Sequence, residues 1–259
     1  MANCTIISNE RMHGDYFRAT FDAPEIAPAS NPGQFVHIRI DNRLDQMLRR
    51  PFSIHNAENG KLTIVYKVVG KGTLALSQLP CGTVCDIMGP CGKGFTAPAA
   101  DVVPVAVCGG YGAAATFMLT RGKKKGVLLL GARSTADIIL TDRYEKAGFD
   151  VRLATNDGSM GTQGFVTDLI PQLLSERPGE KFCFYACGPH PMLMALAKLL
   201  KKLGQDGQLS IDHRMCCGVG SCFACVVKVA DPGSADGWRY ARSCSEGPVF
   251  KLEDVYVEE

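Results

Sequence analysis

The sequence predicts a β plus α/β fold in three parts: an N-terminal antiparallel β-barrel, a parallel-sheet nucleotide-binding domain, and a small cysteine-rich C-terminal domain. Three observations predict it. Up to about Thr96, short strand-like runs are separated by Pro/Gly turns. From about Pro98 to Gln208, apolar runs alternate with helix-forming stretches. Beyond that, four cysteines fall within 216–225 and another stands at 244, with little regular pattern around them. The expected divisions are 1–97, 98–209 and 210–259.

The barrel rests on the runs 34–40, 51–55, 62–69 and 83–88. Alternation is plainest in Phe35-Val36-His37-Ile38-Arg39-Ile40, the pattern of a strand with one face in a core. The second part has apolar runs at 103–108, 127–131, 151–154 and 182–187. Between them lie candidate helices such as 191–203, with Leu193, Leu196, Ala197 and Leu200 on one face and Lys198, Lys201 and Lys202 elsewhere. Strand–helix alternation of this kind builds a parallel sheet.

Bulk composition narrows the function classes. Of 259 residues, 46% are hydrophobic and 21% charged, which is ample for a core. A net charge of +2 gives no strong basic field, so neither nucleic acid nor a membrane is expected as a partner. Residues 1–11 have no apolar signal-peptide region, which points to the cytoplasm. Twelve cysteines in such a chain suggest metal or redox use rather than disulfides. The uncharged stretch 102–120 approaches membrane-spanning length, but Pro104, Gly109, Gly110 and Gly112 interrupt it.

Taking Cys217 first, the cysteines read C-x4-C-x2-C through Cys222 and Cys225, with Cys244 as a distant fourth. This is the plant-type [2Fe–2S] spacing. Gly218 and Gly220 let the loop wrap a cluster and favour Cys217 over Cys216 as first ligand. A zinc ribbon would need two short C-x2-C knuckles, and one is present.

A flavin site is read in the barrel. Arg50 offers fixed charge for phosphate, with Pro51 beside it; Phe52 can lie against a flavin ring and Ser53 can bond its polar edge. Val65-Tyr66-Lys67 follows, and then Gly72 and Thr73 at a helix start, where Thr73 can cap and Gly72 can let a pyrophosphate approach. In the second domain, Gly109, Gly110 and Gly112 make a strand-to-helix turn, with Gly110, Gly112 and Ala115 fitting G-x-G-x-x-A. No acidic residue ends the next strand, where Arg133 could instead accept a 2′-phosphate. Cys187, Gly188 and Pro189 end a further strand, which puts a thiol where a nicotinamide could sit. A nicotinamide delivers hydride and a [2Fe–2S] cluster takes single electrons, so FAD is expected between NAD(H) and the cluster. His13, His37, His55, His190 and His213 show no recognisable partner, and no catalytic residue is assigned.

With these residues in view, the chain resembles the electron-transfer subunit of class 1B dihydroorotate dehydrogenase, within the ferredoxin–NADP reductase superfamily. The likeness spans essentially the whole chain. It is carried by Leu48-Arg49-Arg50-Pro51-Phe52-Ser53-Ile54, Asp86-Ile87-Met88-Gly89-Pro90, Ala154-Thr155-Asn156-Asp157-Gly158-Ser159, Arg214-Met215-Cys216-Cys217-Gly218-Val219-Gly220 and Cys244-Ser245-Glu246-Gly247-Pro248-Val249-Phe250. The resemblance implies FAD contacts at 50–53, 65–67, 72 and 73, and cluster ligation by Cys217, Cys222, Cys225 and Cys244. It also implies a separate FMN-containing catalytic subunit, in a heterotetramer of two plus two, that oxidises dihydroorotate to orotate in pyrimidine biosynthesis. Cys108 and Tyr111 depart from the family's Gly-Gly-Gly-Ile-Gly turn, and Cys91 replaces an apolar residue. Two other readings stand beside this one: a paralogous NAD(P)H-dependent reductase subunit of another complex or ferredoxin, and a redox-sensing module without catalysis.

Overall fold

The computed structural model describes residues 1–40, 48–122 and 125–258. Six strands, β1 (Ala2–His13), β2 (Tyr16–Asp22), β3 (Phe35–Arg39), β4 (Arg50–Glu58), β5 (Lys61–Lys67) and β6 (Val84–Cys91), close an antiparallel barrel in the order β1-β2-β5-β4-β3-β6. Alternation sets its interior: Val36 and Ile38 of β3, Leu62, Ile64 and Tyr66 of β5, and Cys85 and Ile87 of β6 all fill it. The short helix α1 (Lys71–Ser77) lies between β5 and β6.

The second part is a seven-stranded sheet. β7 (Val103–Gly109), β8 (Gly126–Ala132), β9 (Phe149–Thr155), β11 (Phe182–Cys187) and β12 (Asp206–Ser210) run parallel, with the two-residue β10 (Thr162–Gln163) at one edge. The order β10-β9-β8-β7-β11-β12, continued by β15 (Val249–Lys251), reverses between β7 and β11, which is the switch point where such sheets bind ligands. Helices α2 (Gly112–Thr116), α3 (Thr141–Lys146), α4 (Leu169–Glu176) and α5 (His190–Lys202) connect the strands. In α5 the apolar face is as expected, with Leu193, Leu196, Ala197 and Leu200 buried. Burying one such leucine contributes about 1.5–3 kcal/mol.

The C-terminal part is more regular than its sequence suggests. β13 (Val226–Ala230) and β14 (Trp238–Arg242) form a hairpin whose Val227, Val229 and Ala241 join the core of the large sheet. β15 (Val249–Lys251) then pairs antiparallel with β12. The segment after 209 is therefore stitched into the nucleotide domain rather than appended to it. Among the described residues no helix is long and apolar enough to cross a membrane.

His55 on β4 has partners that its sequence context does not reveal. It is buried where barrel and sheet meet, stacked on Phe117 with ring centroids 4.6 Å apart. Arg143 donates to its Nε2 at 2.7 Å, which leaves Nδ1–H to donate to the Ala114 carbonyl at 3.3 Å. Burial first, then the Arg143 charge, lower its pKa to about 3. An unfolded histidine titrates near 6.5, so below that pH the unfolded chain alone takes up the proton. The stability is whole above pH 6.5 and is lost as pH falls toward 3, by about 2 kcal/mol between pH 6.5 and 5 at about 1.4 kcal/mol per unit. Denaturant titrations at pH 7 and pH 5 should show that His55→Gln is less acid-sensitive than the parent. Equal sensitivity would mean that the ring protonates without unfolding.

Candidate functional site

The barrel brings part of the expected flavin segment together. Arg50, at the start of β4, lies across the first turn of α1, where a β-carbon on Gly72 would come within 2.9 Å of the guanidinium Nε. Arg50 and the helix start are thus one cationic corner, and the missing side chain at 72 is what lets them approach. Arg50 also donates to the Leu48 carbonyl. Thr73 stands inside the helix rather than at its cap. Its hydroxyl accepts from the Val69 and Gly70 N–H groups at 2.9 and 3.2 Å and donates to the Gly70 carbonyl, closing the loop before α1. Ser53 is half-buried on the outer face of β4, and among the described residues its hydroxyl has no hydrogen bond.

Other side chains of this set are committed elsewhere. Phe52 points into the barrel and meets Tyr66 edge-on at 5.7 Å, so its ring is not the flavin platform expected from the sequence. Tyr66 is also interior and donates to Asn9 at 3.0 Å. Val65 packs against the large sheet, and Lys67 pairs with Asp137 at 2.6 Å, where Tyr16 donates to the same oxygen at 2.7 Å. The side chains of 65–67 are therefore committed within the protein. Sequence reading missed this Lys67–Asp137–Tyr16 bridge, because its members are far apart in the chain.

Removing the Arg50 guanidinium should loosen FAD. One charge-assisted contact contributes about 1.5–3 kcal/mol, or roughly ten- to hundredfold in affinity. FAD content of Arg50→Ala after exhaustive dialysis measures this. Retention equal to the parent's would remove Arg50 from the site.

At the ends of the parallel strands a cleft of about 420 Å³ opens beside the switch point. It is lined by Gly109, Arg133, Asn156, Phe165, Pro189 and Met192, among others. Three residues singled out in the sequence, Gly109, Arg133 and Pro189, thus line the same cleft. Gly110, Gly112, Cys187 and Gly188 do not line it. A β-carbon on Gly112 would overlap the Cys187 carbonyl, so this glycine serves close packing of the turn on β11. Cys187 is buried beside Cys108, and burial holds its thiol well above the ordinary range, hence protonated. Asn156 belongs to the run 154–159, and its place in the cleft becomes visible only with the strand ends.

The cysteine loop fits a two-iron cluster. Gly218 and Gly220 adopt φ of 72° and 84°, the left-handed region in which glycine is at ease. This folds the loop so that the Val219 N–H points at Cys217 Sγ at 3.5 Å. That donor first, then the Cys222 and Ser221 amides, pulls the Cys217 thiol down to about 6, which favours the thiolate a metal needs. The Cys222 thiol lies against Cys217, while the Cys244 N–H donates to Cys225 Sγ at 3.4 Å. Two thiol pairs rather than one convergent set suit two irons taking two thiolates each; among the described residues no three side chains converge to hold a single ion. Cys225 and Cys244 are buried against Phe35 of the barrel, so the loop docks on the flavin domain.

The comparisons with known proteins meet this geometry. The oxidoreductase FAD-binding domain matches residues 3–95, and the iron–sulfur cluster binding domain of dihydroorotate dehydrogenase B matches 212–256. The electron transfer subunit of dihydroorotate dehydrogenase B (NAD(+)) from Fusobacterium nucleatum is 35% identical, over 99% of this chain and 98% of its own. That of Geobacillus kaustophilus is 38% identical over 98% and 97%. The chain belongs to this family of electron-transfer subunits. Among solved structures, the NADH-dependent reduced ferredoxin-NADP oxidoreductase described for flavin-based electron bifurcation matches with a TM-score of 0.81 and 27% identity, over 99% of this chain and 90% of that one. The ferredoxin reductase of carbazole 1,9a-dioxygenase shares the fold alone, at a TM-score of 0.63 and 21% identity over 78% of this chain and 65% of that one. For this electron-transfer subunit, the FAD-binding match ends just beyond the barrel and the iron–sulfur match begins just after β12.

Proposed function

We propose that this chain is the nicotinamide-facing subunit of a cytoplasmic dihydroorotate dehydrogenase, joined two plus two with an FMN-containing catalytic subunit and returning electrons from dihydroorotate oxidation to NAD. The full-length likeness to subunits of that name carries the reading, together with a cysteine loop packed on the barrel that holds Arg50 and Ser53. In this reading FAD belongs to 1–97, the nucleotide to 98–209 and the cluster to 210–259. FAD, when bound, interconverts a hydride and single electrons. Arg50 neutralises its phosphates across the α1 turn, with Gly72 leaving room and Thr73 holding the loop closed; Pro51, Ser53 and the 65–67 backbone frame the ring. Gly109, Arg133, Asn156 and Pro189 hold the nucleotide in the cleft, while Gly110, Gly112, Cys187 and Gly188 pack the turn behind it. Cys217, Cys222, Cys225 and Cys244 carry the cluster.

A second reading has specific support. The reduced ferredoxin-NADP oxidoreductase matches across 99% of the chain, and Arg133 stands in the cleft where an acidic residue would otherwise select NAD. Anaerobic stopped-flow mixing of the loaded chain with NADH and NADPH tests both. NADH should bleach the flavin faster, with cluster reduction following. A preference for NADPH that is abolished in Arg133→Ala would favour the second reading. No bleaching by either nucleotide would defeat both.

A further inference from the structure

His37 is the one described residue whose buried side-chain polar atoms lack any hydrogen-bond partner, and both ring nitrogens are affected. It is 0% exposed, so solvent does not serve them. An unpaired buried donor costs about 1–3 kcal/mol, so native proteins keep few of them. Its position is unusual as well. On β3, Val36 and Ile38 fill the barrel, while Phe35 and His37 face outward onto the cysteine loop. His37 sits in register with Pro51 of β4 on one side and Met88 of β6 on the other. A β-carbon on Gly218 would fall 2.5 Å from His37 Nδ1, so the imidazole rests against the backbone next to Cys217. The Cys217 backbone is close to the ring as well, without forming a well-aligned hydrogen bond to it. An imidazole carries at least one N–H in either protonation state, so the ring has a donor to give.

We propose that His37 is a positioning residue for the cluster, its N–H reserved for a sulfur at the Cys217 corner and its ring bridging that corner to the flavin strand at Pro51. The inference rests on Cys217 being a cluster ligand. It accounts for a buried donor with no well-formed hydrogen bond in the protein itself, and for glycine at 218, where any side chain would meet the imidazole. A hydrogen bond to a cluster sulfur stabilises the more negative, reduced state and so raises the potential.

The test uses the full chain loaded with FAD and cluster, with its histidines labelled with ¹⁵N. Pulsed hyperfine spectroscopy on the reduced cluster should detect one histidine nitrogen, and His37→Gln should abolish that coupling. His37→Leu should shift the cluster's reduction equilibrium toward the oxidised form by tenfold or more, which is about 59 mV for one electron, whereas His37→Gln, which keeps an N–H donor, should recover most of it. A parent with full iron and a normal reduced-cluster signal but no ¹⁵N coupling overturns the proposal, and this holds even if His37→Leu fails to load. So does coupling that survives in His37→Gln, or an unchanged potential in a loaded His37→Leu. A parent that holds no cluster at all would instead strike down the ligand assignment, and this proposal with it.

Discussion

Serine at Cys217, Cys222, Cys225 or Cys244 is expected to strip iron and sulfide from the purified chain, while serine at Cys216 leaves them in place. Cys216 is the demanding control. It lies beside Cys222 and shares the loop, so proximity alone does not separate it from Cys217. Backbone direction does: the Val219, Ser221 and Cys222 amides act on the Cys217 sulfur, and burial and neighbouring thiols raise the Cys216 thiol instead. Iron prefers the site where a thiolate already exists and where amides stabilise the charge a cluster brings. The four replacements should also differ among themselves in stability. Cys225 and Cys244 are buried against Phe35, so a hydroxyl there is left in an apolar contact between barrel and loop. Cys222 is exposed and Cys217 half-exposed, so their serine variants should lose metal with a smaller fall in melting temperature. Iron analysis and thermal melts of the five variants decide the matter. Full iron in Cys217→Ser with loss in Cys216→Ser would reassign the first ligand.

The loop was legible because its chemistry is local: thiols and glycines within ten positions determine both spacing and turn. Barrel and sheet were legible for a similar reason, since period-two alternation in β3 and the one-sided face of α5 report burial directly. Side-chain destinations were less so. The run 50–53 offers an arginine suited to phosphate, but alternation says only that Phe52 and Ser53 face opposite ways. It takes the closed barrel to send Phe52 inward against Tyr66. Lys67 read as a flavin contact until its pairing with Asp137, seventy positions away, assigned it to the domain interface. His37 and His55 were passed over because their surroundings come from other parts of the chain: Gly218 for one, Ala114 and Arg143 for the other. The hairpin of β13 and β14 hid behind short strands and a loop of Asp, Pro and Gly residues that reads as irregular.

The isolated chain should oxidise NADH with an artificial electron acceptor yet form no orotate from dihydroorotate. Breaking the carbon–hydrogen bonds of dihydroorotate requires a general base poised beside a flavin face that the substrate can reach. Among the described residues no such base stands at the flavin segment. His37 and His55 are sealed from solvent, and burial lowers the pKa of each to about 4 and about 3. His13, His190 and His213 are exposed, on β1, at the start of α5 and just beyond β12, so none belongs to the barrel corner of Arg50 and Ser53. Cys187, the thiol nearest the strand ends, is held protonated by burial and is no better placed to take a proton. The side chains of Phe52, Tyr66 and Lys67 are used to build the barrel and its interface rather than to supply a base. What the chain does offer is a cleft at the strand ends of the large sheet and a cysteine loop packed on the barrel, parts suited to passing electrons between redox centres. Dye-linked NADH oxidation by the purified chain, and orotate formation by chain with and without the FMN subunit, measure the two halves separately. Orotate should appear only with the partner present. Dihydroorotate bleaching the flavin of the isolated chain at a catalytic rate would refute this division of labour and send the search for a base back to the residues around Ser53.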